Sequence, residues 1–292
     1  MVITNLIGGL GNQMFQYAVG RALSLRYGVP LRLDISDFSG YDLHQGFELQ
    51  RIFNCTEEIA TKVDIRRVLG WHFSPGFRRL LLKPSMAVFR SKGFVVEPYF
   101  RHWEGIENIP SNCYITGYWQ SEKYFSGISH QIRRNFSFRV PISSDNSEVA
   151  NRIGHVNAVS LHVRRGDFVN NPTTMATHGL CSPDYYKTAT QYIACRINKP
   201  HFFIFSDDIA WTKKNLEIGF PCHYVDHNQG SESHNDMMLM SLCQHHIIAN
   251  SSFSWWGAWL NPSEEKIVVA PRRWFAKQID TRDLLPPSWV VL

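Results

Sequence analysis

Residues 2–7 form a short apolar run, and Gly8, Gly9 and Gly11 follow it directly. From Asn12 the apolar positions change to helical spacing, with Met14, Tyr17, Ala18, Ala22 and Leu25 on one face. Gly28 and Pro30 punctuate the end of that helix. Residues 29–34 then read as a second strand. Strand, tight turn, helix and strand together predict a parallel α/β sheet. The rhythm returns late in the chain, with strands predicted over 156–163, 201–205, 223–225, 246–249 and 266–270. Helices are predicted between them over 182–196, 208–218, 233–243 and 252–260.

Between these two parts, residues 141–155 are polar and turn-rich, although Val149 and Ile153 have the spacing of a short helix. This is the best linker in the chain. It predicts an N-terminal domain over 1–150 and a C-terminal domain over 151–292. The expected architecture is α/β, two Rossmann-like domains facing across a cleft.

The chain has 292 residues, 44% of them hydrophobic, which is enough for a full core without covalent staples. That balance excludes disorder and coiled coil. Six cysteines with no C-x-x-C spacing exclude a disulfide scaffold and a zinc knuckle, and they fit a reducing compartment. The net charge of +5 permits an anionic ligand without demanding nucleic acid. No apolar run approaches the ~18 residues of a membrane span. The start lacks the basic region of a signal peptide. A cytoplasmic protein is the expectation.

Residues 62–92 depart from this balance. They hold eight basic residues and one acid, Asp64, interleaved with Trp71, Phe73, Phe77, Leu80, Leu81, Leu82 and Phe89. One reading is a peripheral contact with an anionic membrane surface. The other, favoured by frequency, is a solvated helical insert whose apolar face packs on the core.

Three motifs carry chemistry. The first is Gly8-Gly9-Leu10-Gly11-Asn12-Gln13, at a strand-to-helix turn. Its glycines allow close backbone approach to a ligand, and a helix N-terminus favours an anion. It lacks the third glycine of the dinucleotide fingerprint and the Gly-Lys-Ser/Thr of a P-loop. The Asn12 and Gln13 amides suggest hydrogen bonding to a polyol. The second is His162-Val163-Arg164-Arg165-Gly166-Asp167, at the carboxyl end of a predicted strand, where open α/β sheets bind ligands. Alternation puts His162 and Arg164 on one face, with Arg164 placed to fork a phosphate. Arg165 points the other way and reads as a local ion-pair partner, with Asp167 nearby in sequence. The third is the run 250–259, Asn-Ser-Ser-Phe-Ser-Trp-Trp-Gly-Ala-Trp. Ser251 or Ser252 can cap the helix it opens, and both hydroxyls could hold phosphate oxygens. Trp255 and Trp259 read as core packing rather than substrate stacking.

Two acidic sites complete the set. Asp207 and Asp208 end a strand, which invites a divalent metal. Asp208 is equally a helix cap and no third carboxylate is in view, so no metal site is expected. Asp236, three residues after Ser233, is either half of a capping box or an acceptor for the two N–H donors of a guanine edge. The residues alone leave both open.

Taken together, the segments 8–18 (GGLGNQMFQYA), 162–167 (HVRRGD), 205–208 (FSDD) and 250–260 (NSSFSWWGAWL) resemble the α-1,2-fucosyltransferases of glycosyltransferase family eleven. The resemblance implies a GT-B fold and inverting transfer of L-fucose from GDP-β-L-fucose to the 2-hydroxyl of a terminal galactose. It implies no metal and no other cofactor, and a C-terminal domain that holds the nucleotide. It further implies that His162 and Arg164 contact the donor, with Arg164 on the diphosphate. Asp236 would read guanine, Ser251, Ser252 and Phe253 would line the phosphate pocket, and Asp207 would lie near the nucleotide. Gly9, Gly11, Asn12 and Gln13 would form the N-terminal side, with Asn12 facing fucose and acceptor. Asp167 and His162 are the candidates for a base. The alternatives are another GT-B sugar-nucleotide transferase and a non-catalytic carbohydrate-binding protein. The latter would have no need of a buried Arg and a phosphate-holding turn. Nucleic-acid binding is not expected, since the basic residues are local.

Overall fold

The computed structural model describes residues 1–39, 45–139, 141–166, 169 and 171–292. The chain forms two compact units. One comprises Met1–Arg139 with Asp280–Leu284, the other Val140–Ile279 with Leu285–Leu292.

In the first unit, β1 (Val2–Asn5), β2 (Leu31–Asp34), β3 (Glu58–Ile59), β4 (Phe94–Val96) and β5 (Cys113–Thr116) make a parallel sheet in the order β3-β2-β1-β5-β4. The helix Leu10–Tyr27 follows β1 and ends on Gly28, whose φ of 62° is left-handed. Short helices over Lys62–Leu69 and Pro75–Leu81 precede β4. They bury Ile65, Leu69 and Leu81 against Ile3, Phe94 and Tyr114.

Arg78 lies in this layer, and its place among the surface cations of the basic stretch is corrected. It is buried, and its guanidinium pairs with Asp34 and Tyr114 and donates to Ser36 Oγ at 3.2 Å. Asp34 and the Tyr114 hydroxyl are joined as well, at 2.6 Å. A buried charge survives where its partners replace water.

In the second unit, β6 (Asn157–Val163), β7 (Pro200–Ser206), β8 (Cys222–Val225), β9 (His245–Ile247), β10 (Val268–Ala270) and β11 (Val290–Val291) also run parallel. Their order is β8-β7-β6-β9-β10-β11, the 3-2-1-4-5-6 pattern of a Rossmann sheet. Phe202, Phe203, Ile204 and Phe205 of β7 are all buried, as expected of a parallel strand covered on both faces.

The division falls between residues 139 and 140, ahead of the expected boundary at 150. The polar stretch expected to be a linker folds as a helix, Ser144–Gly154, capped by Ser143. Its buried Val149 and Ile153 tie it to the second unit. Residues 280–284 join the first unit through Asp283, which meets Lys123 Nζ at 2.5 Å and the His102 amide at 3.2 Å.

Candidate functional site

A doubly wound sheet opens a crevice where its strand order reverses, beyond the carboxyl ends of the two strands concerned. In the second unit those strands are β6 and β9. The HVRRGD motif leaves β6, and the Asn250–Phe253 turn follows β9. Two motifs some 90 residues apart in sequence thus meet at one switch point. The His162 and Phe253 rings are 5.8 Å apart, centroid to centroid, across it.

Each side chain there has an identifiable setting. His162 is buried, and no described residue hydrogen-bonds its Nδ1. Burial pushes its pKa down to about 4, so the imidazole is neutral near pH 7. Arg164 Nη1 lies 3.2 Å from Asp207 Oδ2, and Asp207 Oδ1 accepts the Arg165 amide at 2.8 Å. Asp207 therefore holds the Arg164 guanidinium and the Arg165 amide together, aiming the guanidinium. Gly166 packs against that carboxyl, where an added Cβ would stand 3.3 Å from it.

Arg165 does leave on another course than Arg164. It stacks on Trp211, 3.9 Å from the ring centroid, and its Nε is 3.6 Å from Asp208 Oδ2. Asp208 thus stands beside it, and Asp167, the partner suggested by sequence, lies outside the described residues. Asp208 also caps the helix Ile209–Asn215 by accepting the Trp211 amide at 3.0 Å. The two adjacent aspartates are thus committed to different arginines.

Ser251 caps the helix Ser252–Leu260, accepting the Phe253 amide at 3.3 Å. A hydroxyl that accepts there still has its own proton to donate. Ser252 and Phe253 sit half-buried in the first turn, at the positive end of the helix dipole. Trp255, Trp256 and Trp259 are core, stacked among themselves and on Trp289. Asn250 is structural: its amide donates to the carbonyls of His178 and Trp274 at 3.0 and 3.1 Å.

Asp236 lies in the first turn of the helix His234–Leu242. The capping-box reading fails, because the Ser233 side chain makes no cap hydrogen bond. The carboxyl instead accepts from Asn228 Nδ2 at 2.8 Å, and burial pushes its pKa up to about 7. Gly257 lets this helix approach the next one; an added Cβ would stand 3.1 Å from Met240 Cβ.

The family model for Glycosyl transferase family 11 matches residues 92–292. The chain belongs to glycosyl transferase family 11. It is 37% identical to an alpha-1,2-colitosyltransferase of Escherichia coli over 99% of this chain and 98% of that protein. It is 25% identical to the galactoside alpha-(1,2)-fucosyltransferase 2 of Hylobates lar, over 88% of this chain and 68% of that protein. Among solved structures it resembles the fucosyltransferase NodZ from Bradyrhizobium, with a TM-score of 0.52 at 15% identity, covering 89% of this chain and 93% of NodZ. That likeness speaks for fold alone, and the fold is of GT-B type.

In this family 11 chain the first unit has a switch point of its own, between β1 and β5. Gly8, with φ 78°, and Gly9 turn the chain into the helix, and Gly11 is buried in its first turn. Half-buried Asn12 accepts from Gln120 Nε2 at 2.7 Å. Gln13 is corrected from a ligand-facing amide to a bracket inside the fold. It is fully buried, donates to the carbonyls of Gly8 and Gly46 at 2.9 and 2.8 Å, and accepts the Glu48 amide at 3.1 Å. Gln13→Ala should therefore lower stability by roughly 1–3 kcal/mol, read by urea unfolding, through the unpaired groups it leaves. A stability change near zero with weakened sugar binding would restore the ligand reading.

Sequence reading passed over Glu97, Tyr118 and Gln120, which stand beside Asn12's helix. The Glu97 carboxylate accepts the amides of Tyr118 and Trp119 at 2.7 and 2.9 Å, and burial pushes it up to about 7. Trp119 is left-handed at φ 56°. The one sequence signal was Gly117 directly after a short apolar run; an added Cβ there would meet the Glu97 side chain.

Proposed function

We propose that the chain is an inverting α-1,2-glycosyltransferase that takes L-fucose from GDP-β-L-fucose and joins it to the 2-hydroxyl of a terminal galactose. The observation that carries this reading is the second unit's switch point, where Arg164, aimed by Asp207, stands with His162 and a capped helix N-terminus. Breaking the bond to fucose leaves negative charge on the diphosphate. A guanidinium, amides and a helix N-terminus are the groups that stabilise such charge. Single displacement through an oxocarbenium-like state turns the β-linked donor into an α-linked product. Asp236 serves as acceptor for the guanine edge, and Ser251 and Ser252 as phosphate-facing hydroxyls. Asn12 belongs to the acceptor side.

One relative favours a second donor. The 37% identical protein is a colitosyltransferase, and colitose is the 3-deoxy counterpart of L-fucose. The deciding experiment incubates the purified chain with lactose and either GDP-fucose or GDP-colitose, then assigns linkage and anomer by NMR. Higher kcat/KM with GDP-fucose and an α-1,2 product supports the proposal. Preference for GDP-colitose transfers it to the second reading, and a β-linked or differently linked product overturns both. The reading also needs no metal, so turnover should survive excess EDTA unchanged. Loss restored only by magnesium or manganese would return Asp207 and Asp208 to the metal reading.

A further inference from the structure

The basic stretch 62–92 resolves into two faces. Its inner face is the packing described above, with Ile65, Leu69 and Leu81 on the sheet. The outer face holds six of the large apolar side chains that the described residues leave exposed, about a tenth of the chain carrying nearly half of them. Val88 is 85% exposed, Trp71 67%, Val63 66% and Phe89 56%, with Leu80 and Leu82 near 40%. Scattered single exposures are ordinary, but a concentration of this kind marks an interaction surface.

Two contacts gather these side chains. The Arg90 guanidinium donates to the carbonyls of Leu81, Leu82 and Lys83 at 2.7, 3.2 and 3.3 Å. It thereby holds the 80–83 turn against the 88–90 turn. Trp71 packs on Phe77 at 4.9 Å, at the start of the helix that carries Leu80.

The charge around this surface is predominantly positive. Asp64, the only acid of the stretch, is spent in a capping box with Thr61. Arg78 is buried, and Arg79 is 3.5 Å from Asp37. Lys62, Arg66, Arg67, Lys83 and Lys92 remain as exposed cations.

We propose that the outer face of residues 62–92 is a docking surface for an anionic lipid bilayer, with Trp71, Leu82, Val88 and Phe89 entering the interface and the cations on lipid headgroups. Both features are used at once only there. A second copy of the chain would bring two like-charged faces together, which costs association. A nucleic acid would engage the cations but offer no hydrocarbon to Val88 and Leu82. A bilayer takes apolar side chains and neutralises a basic rim together. The claim does not depend on the donor or acceptor.

The test uses the whole chain with vesicles of phosphatidylcholine, with and without phosphatidylglycerol, by co-sedimentation. Binding should require the anionic lipid and weaken with salt. Lys83→Glu and Arg67→Glu should each reduce it by at least about fivefold, the worth of one cation at such a surface. Phe89→Ser with Val88→Ser should reduce it as strongly, without changing turnover on soluble lactose. Trp71 gives an independent readout, since of the eight other tryptophans six are buried and Trp103 and Trp211 are half-buried. Bromine-labelled lipid should quench its fluorescence in the parent, and Trp71→Phe should remove that quenching while binding persists. Absence of parent binding to anionic vesicles overturns the proposal. So does quenching that survives in Trp71→Phe, or vesicle binding indifferent to Phe89→Ser, which would mark a surface for a polyanion. Dimerisation of the parent that the Phe89 and Val88 changes abolish would assign the face to a second copy instead.

Discussion

Arg164→Ala should lower turnover by about two to three decades, and Arg164→Lys should recover only part of it. A forked guanidinium that meets charge developing on a leaving diphosphate contributes on the order of 2–4 kcal/mol in the transition state. Lysine keeps the charge and loses the planar fork, so it cannot hold two oxygens in one fixed geometry. It also loses the planar partner for Asp207, which now aims the side chain from 3.2 Å. Arg165→Lys supplies the contrast. Arg165 is engaged with Trp211 and Asp208, so its loss should fall on melting temperature more than on turnover. The measurement is turnover of both lysine variants at saturating donor, after each is shown to be folded. A larger turnover defect in Arg165→Lys would move the diphosphate contact to that residue.

Asp236→Asn should weaken GDP binding on the order of 100-fold and yet raise the melting temperature above pH 7. On the proposed guanine contact, the affinity loss follows from replacing a buried acceptor for two N–H donors with an amide that meets one of them with a donor of its own. The stability gain follows from linkage. The carboxyl titrates at about 7 in the fold, against 3.8 as the ordinary value. Its contribution to stability is therefore fully present below the lower value and is lost as pH rises through about 7. Above that, the unliganded fold carries a buried charge that asparagine does not have. The same titration predicts that wild-type affinity for GDP falls as pH drops below about 7, approaching tenfold per unit, while Asp236→Asn gives a flat profile. Calorimetric titration with GDP and thermal melts, both across about pH 6 to 8, check the two together. Intact GDP affinity with a lowered melting temperature would make Asp236 a structural residue only.

The second unit was legible because parallel strands covered on both faces leave unbroken apolar runs, as in β7, bounded by turn residues. Its predicted strands fall within about two residues of those observed, the usual scatter of element ends. The two motifs of the candidate site were legible for a related reason: both follow such strands. The first unit was less so. Its β3 and β4 have two and three residues, too short for a period to show. Arg78 shows the other limit. In sequence it is one cation among eight, and its burial depends on Asp34, 44 positions away. The last strand, Val290–Val291, was missed for its length, and the boundary at 139 was missed because two buried side chains turned a polar stretch into a helix.

The bracket made by Gln13 has a companion in Gln16, which accepts the Ile7 amide at 2.9 Å and donates to the Gly117 carbonyl at 3.0 Å. Both glutamines are spent on holding loops to the first strand and helix. The Gly-Asn-Gln-x-x-Gln string is thus a signature of architecture with one residue, Asn12, left half-buried at its edge. A search pattern weighted on those glutamines would gather chains that share the turn whatever they catalyse. On the proposed role of Arg164, it would also retain chains that had lost transferase activity through changes there. On the reading proposed above, sorting active from inactive members by sequence calls for weight on the β6 and β9 motifs and on Asn12, with the two glutamines used only to recognise the fold.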